Sequence, residues 1–283
     1  MIKIGVIDHY LDQYHFLSYP KLIKEASGGE MEIVCAWAET EHENGKTNAQ
    51  CCAEQGIELL SSPEEVIEKS DCLIVMSPDN PERHEELCRL PLASGKRTYI
   101  DKTFSPDRAT AARIIEMGKQ GNTPFFSTSS LRYAEEYADI DRSKIQFIAS
   151  RGPGEFSNYA IHQIEPLVCL MGVNIGKIMY LGTENTVTFI FSYRDGRVAT
   201  MSQLLGECDF GMAISFADGS AKVIEGATDY GMRFINDLVG FFKDGIVRVP
   251  PEETLQVMTV LEYGKKAMDN PGVWVELPEN KTR

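Results

Sequence analysis

The chain has 283 residues, enough for two domains or one large one, and its 43% hydrophobic and 25% charged content is that of a globular protein with a sizeable core. Forty-two acidic against 28 basic side chains give a formal charge of −14, which repels nucleic acid and anionic membrane and excludes both as expected partners. The start MIKIGVI has no charged leader and long apolar run. No window reaches the roughly 18 consecutive apolar residues of a membrane span, so the expected location is the cytoplasm.

The first 127 residues alternate short apolar runs with amphipathic, helix-like segments; the runs are IKIGVI, MEIVCAWA, DCLIVMS, RTYID and PFFST. That rhythm predicts a parallel sheet flanked by helices, a doubly wound domain. Ser62-Pro63-Glu64-Glu65 and Ser105-Pro106-Asp107 each read as a capping side chain followed by proline at the first helical position. Ser94-Gly95-Lys96 closes another helix before RTYID. From residue 128 to 283 the rhythm changes to an α+β domain with a mostly antiparallel sheet. A helix over 158–171 precedes TVTFIFSY and RVATMSQL, joined at Asp195-Gly196, then AISFA and SAKVIEG, joined at Asp218-Gly219. Asp-Gly between alternating runs is a strong short-range hairpin signal. Helices over 231–243 and 251–268 and a strand over 273–276 complete this half.

Seven cysteines without a C-x-x-C pair, with Cys35, Cys72 and Cys169 inside apolar runs, read as buried free thiols in a reducing compartment. They give no zinc site and no catalytic thiolate.

In an open parallel sheet, ligands bind outside the carboxyl ends of the strands. The residues there form the cofactor-facing set: Ile7, Asp8 and His9; Glu39; Ser77 with Pro78; Asp101 with Lys102. A lysine that leaves a buried strand at such a crevice is costly to desolvate, which suits it to proton transfer. A carboxylate at Glu39 accepts hydrogen bonds from an adenosine ribose and disfavours a 2′-phosphate, pointing to NAD over NADP. Glu39, Glu41 and Glu43 read equally well as a solvated acidic loop.

The segment from Asp101-Lys102-Thr103 to Arg132-Tyr133 resembles the Glu-Lys-Pro segment of the glucose-fructose oxidoreductase and inositol dehydrogenase family, Gfo/Idh/MocA. Ser77-Pro78 with His84-Glu85 matches the family's Thr-Pro…His-x-Glu element, and the stretch from FINDLVGFF to EYGKKAM matches its C-terminal helices. The resemblance spans nearly the whole chain. It implies a Rossmann domain, a nicotinamide cofactor (NAD or NADP), and oxidation or reduction of a small sugar, polyol or similar carbinol, with Lys102 at the catalytic lysine's position. The family's Asp-x-x-x-His maps to Asn158 through His162, with Glu165 three positions on. Residues 158, 162 and 165 are i, i+4 and i+7, so they share one helix face. The resemblance implies that His162 exchanges a proton with the substrate hydroxyl, that Lys102 polarises the same oxygen and that Glu165 orients or charges the imidazole. Asn158 departs from the family, because an amide positions a hydroxyl without accepting its proton. Members of this family associate through the open face of the second sheet, so a homodimer or higher homo-oligomer is expected.

The sharpest departure lies at the first crossover, where Asp8, His9, Tyr10, Leu11 and Asp12 stand in place of the phosphate-binding glycines. Asp8 and Asp12 would each repel a pyrophosphate by about 1–4 kcal/mol. Three outcomes follow: the acids turn away, Asp12 as a helix cap; a divalent ion is bridged with His9 and His15; or no dinucleotide binds. No metal is expected. The alternative to an oxidoreductase is a non-redox family member that binds a sugar-like ligand as a sensor or regulator. A lyase or hydrolase using tightly held NAD transiently is a third reading.

Overall fold

The computed structural model describes residues 1–280. They divide into two compact units: Met1–Thr128 with Phe234–Pro251, and Ser129–Arg233 with the chain from Glu252 onward.

In the first unit the strands β1 (Ile2–Asp8), β2 (Met31–Ala38), β3 (Glu58–Leu59), β4 (Cys72–Val75), β5 (Thr98–Ile100) and β6 (Phe125–Phe126) form a parallel sheet of order β3-β2-β1-β4-β5-β6. This is the doubly wound order, whose topological switch point lies between β1 and β4. β4 is buried throughout, as expected of a strand covered on both faces. Gly5 makes room for one covering helix: a Cβ there would meet Val66 Cγ1 at 2.5 Å and Ser70 Oγ at 2.8 Å.

The flanking helices are α1 (Tyr14–Ala26), α2 (Asn48–Gln55), α3 (Pro63–Lys69), two short pieces α4 (His84–Leu87) and α5 (Arg89–Ala93), and α6 (Arg108–Gln120). Ser62 caps α3 with Pro63 in its first turn, and Gly95 follows α5 in the left-handed region, both as the sequence predicts. At α6 the cap is Asp107, whose side chain accepts from Thr110 N, so this helix starts after Ser105-Pro106. A capping box opens α2: Gln50 N donates to Thr47 Oγ1 at 3.2 Å and Thr47 N to Gln50 Oε1 at 2.9 Å. Thr47→Ala is expected to lower stability by about 1 kcal/mol in urea unfolding.

The second unit holds β7 (Ile145–Pro153), α7 (Phe156–Met171), β8 (Ile175–Thr183), β9 (Thr186–Tyr193), β10 (Val198–Leu204), β11 (Gly211–Phe216) and β12 (Ala221–Ile224). Helix α8 (Tyr230–Asp244), α9 (Pro251–Met268) and β13 (Trp274–Glu276) follow. The seven-stranded sheet runs β12-β11-β7-β10-β9-β8-β13, antiparallel except for β7 against β10. Both Asp-Gly hairpins form, as β9–β10 and β11–β12. Phe189, Phe191 and Tyr193 of β9 and Ala199, Met201 and Gln203 of β10 are buried, while Thr188, Ile190, Ser192, Thr200 and Ser202 alternate with them and remain half-exposed.

The boundary drawn from sequence at residue 127 leaves out one return of the chain. Phe234–Pro251, most of it α8, packs in the first unit. Aromatic burial explains this: Phe234 lies 5.4 Å from Tyr99 and 6.1 Å from Tyr19, and Phe241 lies 4.9 Å from Phe126.

Among the described residues all seven cysteines are free. Cys35, Cys51, Cys52, Cys72 and Cys88 are buried, whereas Cys169, expected inside, is half-exposed. Among the described residues no helix is long and apolar enough to cross a membrane.

Candidate active site

In the first unit, the strand-end residues singled out from the sequence lie at the carboxyl ends of β1, β2, β4 and β5. Ile7 is fully buried in β1, and Asp8, which ends it, is 1% exposed. The Asp8 carboxyl is not the ligand-facing charge that the sequence implies. Its Oδ1 accepts from the His9 amide at 2.7 Å, its Oδ2 from Gln13 Nε2 at 2.9 Å, and the Tyr10 amide adds a third donor. Burial outweighs these donors and pushes Asp8 up to about 8, so near neutrality it is mostly protonated.

Asp12 turns away as well, though not as a cap. Its carboxylate accepts from the Lys46 amide at 2.8 Å and from Cys51 Sγ, and Gln13 caps α1 by accepting from His15 N at 2.7 Å. The Leu11 amide donates to Asn48 Oδ1 at 2.9 Å and the Gln13 amide to Leu11 O. The amides of residues 9, 10, 11, 13 and 15 are thus all bound within the chain. A glycine-rich loop aims such amides at a pyrophosphate. The acids expected to repel phosphate are removed from it, and so are most of the donors expected to hold it.

Glu39, just past β2, accepts from Arg83 through both carboxylate oxygens and from His9 Nδ1 at 2.8 Å. Arg83 first, then His9, holds its carboxyl below the usual carboxylate range despite partial burial. His9, Tyr10, Glu39, His42, Asn80 and Arg83 line a cavity of about 600 Å³, to which Glu41 and Glu43 add negative charge. Ser77 is buried beyond β4 and donates to Asn80 O at 2.9 Å, with Pro78 half-buried beside it. Among the described residues no cluster of three or more His, Cys, Asp and Glu is arranged to hold a metal ion. Asp8, His9, Asp12 and His15 face Gln13, Glu39, the Lys46 amide and Asp101 respectively.

Asp101 and Lys102 follow β5. Asp101 is fully buried and accepts from His15 Nδ1, from the Lys102 amide at 2.9 Å and from Tyr99 OH at 3.2 Å. Burial alone would raise this carboxyl; the His15 ring, Lys102 and His84 reverse that and bring it below its ordinary value. The half-buried Lys102 precedes a turn held from beneath. His84, fully buried, donates from Nδ1 to the carbonyls of Thr103 and Phe104 at 3.0 and 3.2 Å, and burial lowers its pKa so that it stays neutral. His84 is thereby the anchor of the loop that carries Lys102.

In the second unit, α7 presents Asn158 exposed, His162 half-buried and Glu165 at 3% exposure, so the shared face runs inward along the helix. His162 Nδ1 and Ser129 Oγ are 2.8 Å apart, and the ring is flanked edge-on by Tyr159 and Phe210. Glu165 is ion-paired with Arg132, Oε1 to Nη1 at 3.6 Å, and the other guanidinium nitrogen pairs with Glu253. Neither partner of Arg132 is local, and neither is signalled by spacing. His15 was also missed as a partner of Asp101: 86 residues separate them, and only the strand order brings them together.

The sequence matches no protein-family model, and no curated protein matches it. Solved structures do share its fold. The WlbA dehydrogenase of Bordetella pertussis, in complex with NADH and UDP-GlcNAcA, has a TM-score of 0.73 at 14% identity over 98% of this chain and 99% of its own. The UDP-N-acetylglucosamine 3-dehydrogenase GnnA of Acidithiobacillus ferrooxidans has a TM-score of 0.75 at 13% identity, covering 94% and 97%. An NAD binding oxidoreductase of Klebsiella pneumoniae has a TM-score of 0.75 at 12% identity, covering 98% and 99%. At these identities the shared property is the two-part fold: a Rossmann-type parallel sheet and a mostly antiparallel second sheet.

Proposed function

We propose that the chain is an NAD(P)-dependent oxidoreductase that moves a hydride between the nicotinamide and a carbohydrate-like alcohol or ketone. The observation that carries this reading is the fold likeness over nearly the whole chain to a dehydrogenase solved with NADH and to an NAD binding oxidoreductase, combined with Lys102 just beyond β5. In this reading Lys102 polarises the reacting oxygen, and Asn158 and His162 hold or exchange protons with substrate hydroxyls. Ile7, Asp8, His9, Glu39, Ser77, Pro78 and Asp101 border the cofactor, and Glu165 supports α7 through Arg132. Three carboxylates and one guanidinium line the cavity beyond β2, which favours NAD over the 2′-phosphate of NADP. No nucleic acid or membrane takes part. The location is cytoplasmic, and the half-exposed face of β9 and β10 is the surface for a homodimer or higher homo-oligomer. Light scattering that returned a monomer at working concentration would remove the assembly from the proposal.

The occupied amides of residues 9–15 favour a second reading, in which the fold binds a sugar-like ligand without redox chemistry. Titration with NADH separates the two. Binding raises and blue-shifts the nicotinamide fluorescence; a flat trace at millimolar cofactor defeats the oxidoreductase reading. With NAD and a panel led by myo-inositol and UDP-N-acetylglucosamine as probes, Lys102→Ala is expected to lower kcat by about 100-fold or more with little change in cofactor affinity. An unchanged rate removes Lys102 from the chemistry.

A further inference from the structure

We propose that His15 and Asp101 form an acid–base dyad, in which Nε2 of His15 exchanges the proton of a substrate oxygen bound at this edge of the first unit's sheet. The inference rests on the oxidoreductase reading for its hydride acceptor and adds to it a residue that the resemblance does not supply.

Four features of the first unit support it. Asp101 has no exposed surface, yet its two oxygens receive His15 Nδ1, the Lys102 amide and Tyr99 OH, so it is fixed in place as a carboxylate facing the imidazole. The His15 ring is fixed too: Tyr19 stacks on it at 5.1 Å and 13°, and Tyr14 meets it at 5.7 Å. The side chain is 17% exposed, and Nε2 makes no hydrogen bond among the described residues. Lastly, Asp101 is joined directly to Lys102, so the carboxylate that holds the imidazole also anchors the amide of the lysine assigned to the reacting oxygen. A carboxylate that accepts Nδ1–H fixes the tautomer whose Nε2 lone pair is free, and it stabilises the imidazolium formed when that nitrogen takes a proton.

In the oxidative direction the carbinol O–H passes its proton to His15 Nε2. A bound oxidised nicotinamide would supply the acceptor for the hydride that leaves the carbinol carbon with both electrons of the C–H bond. A carbonyl forms, and the imidazolium remains against Asp101 until solvent takes its proton; reduction runs the same steps backwards. The groups that set the pH response are Asp101, Tyr14 and Tyr19 around the ring, and Tyr99, Lys102, His84 and Asp8 around Asp101.

Two measurements on the full chain test the dyad. Long-range 1H–15N correlation of the imidazole resonances is expected to show neutral His15 as the Nδ1–H tautomer, and Asp101→Asn is expected to shift it toward Nε2–H. A wild-type ring found as Nε2–H overturns the dyad. In turnover with the probes named above, His15→Gln is expected to lower kcat by about 100-fold, to flatten the pH–rate profile and to leave KM for NAD nearly unchanged. Added imidazole should restore part of the rate of His15→Gly. An unaltered kcat and profile overturn the role in proton transfer. If NADH gives no fluorescence change, the oxidoreductase reading fails by itself, and the tautomer measurement still decides the dyad.

Discussion

Arg132→Met is expected to lower the free energy of unfolding by about 3–5 kcal/mol, because it strips the cation from a buried cluster and leaves its carboxylates facing one another. The Arg132 and Glu165 side chains are 5% and 4% exposed and that of Glu253 is 19% exposed, so water can rehydrate little of the orphaned charge. Those two carboxylates raise the guanidinium pKa further against the opposing effect of burial, so Arg132 is a permanent cation. Its removal also loosens α7, on which His162 lies one turn from Glu165. Urea unfolding measures the loss. A second variant, Arg132→Met with Glu165→Gln, should recover part of it, since one uncompensated charge is then gone. A single-variant loss below about 1 kcal/mol would mean that the cluster is solvated.

Asp8→Asn is expected to abolish a pH dependence of stability between about pH 4 and pH 8. Asp8 is raised from 3.8 to about 8 in the folded chain. Within that window the folded protein holds a proton that the unfolded chain has released, so stability falls as pH rises. The contribution is fully present below about pH 4 and lost by about pH 8, and it amounts to something on the order of 5 kcal/mol. His84, lowered by burial, works in the opposite sense, since its neutral form is favoured on folding and stability is lost as pH falls. Asp101, held below its ordinary value, adds stability above the unfolded carboxylate pKa that is lost on acidification through its folded value. The difference between wild type and Asp8→Asn isolates Asp8 from both. Thermal or urea unfolding at half-unit pH steps provides the curves; parallel curves would mean that Asp8 is ionised in the fold.

What was legible in the sequence follows from the range of each interaction. Strand runs, Asp-Gly hairpins and the Ser62-Pro63 cap depend on neighbours a few residues away, so they could be read locally. The strand-end positions of Asp8, Glu39, Ser77 and Asp101 were legible for the same reason. Their charge states were not. Asp8 reads as a repulsive anion in sequence, but burial beneath Gln13 protonates it. Glu39 reads as a free ribose acceptor, but Arg83, 44 residues on, occupies both its oxygens. Glu165 reads as the partner of His162 from helical spacing, but a helix face says nothing of Arg132 on another element. The return of α8 to the first unit was missed because its aromatic partners, Tyr19, Tyr99 and Phe126, are spread over more than a hundred residues.

The two principal readings differ over one place, the turn from β1 into α1, where Asp8, His9, Tyr10, Leu11 and Asp12 stand in the position of phosphate-binding glycines. Crystals grown with NADH test it directly. The oxidoreductase account predicts dinucleotide density along the carboxyl ends of β1, β4 and β5, with the pyrophosphate over residues 9–14 and the nicotinamide beside Lys102. An empty cleft with the Asp8 carboxyl still bonded to Gln13 and to the His9 amide would contradict it.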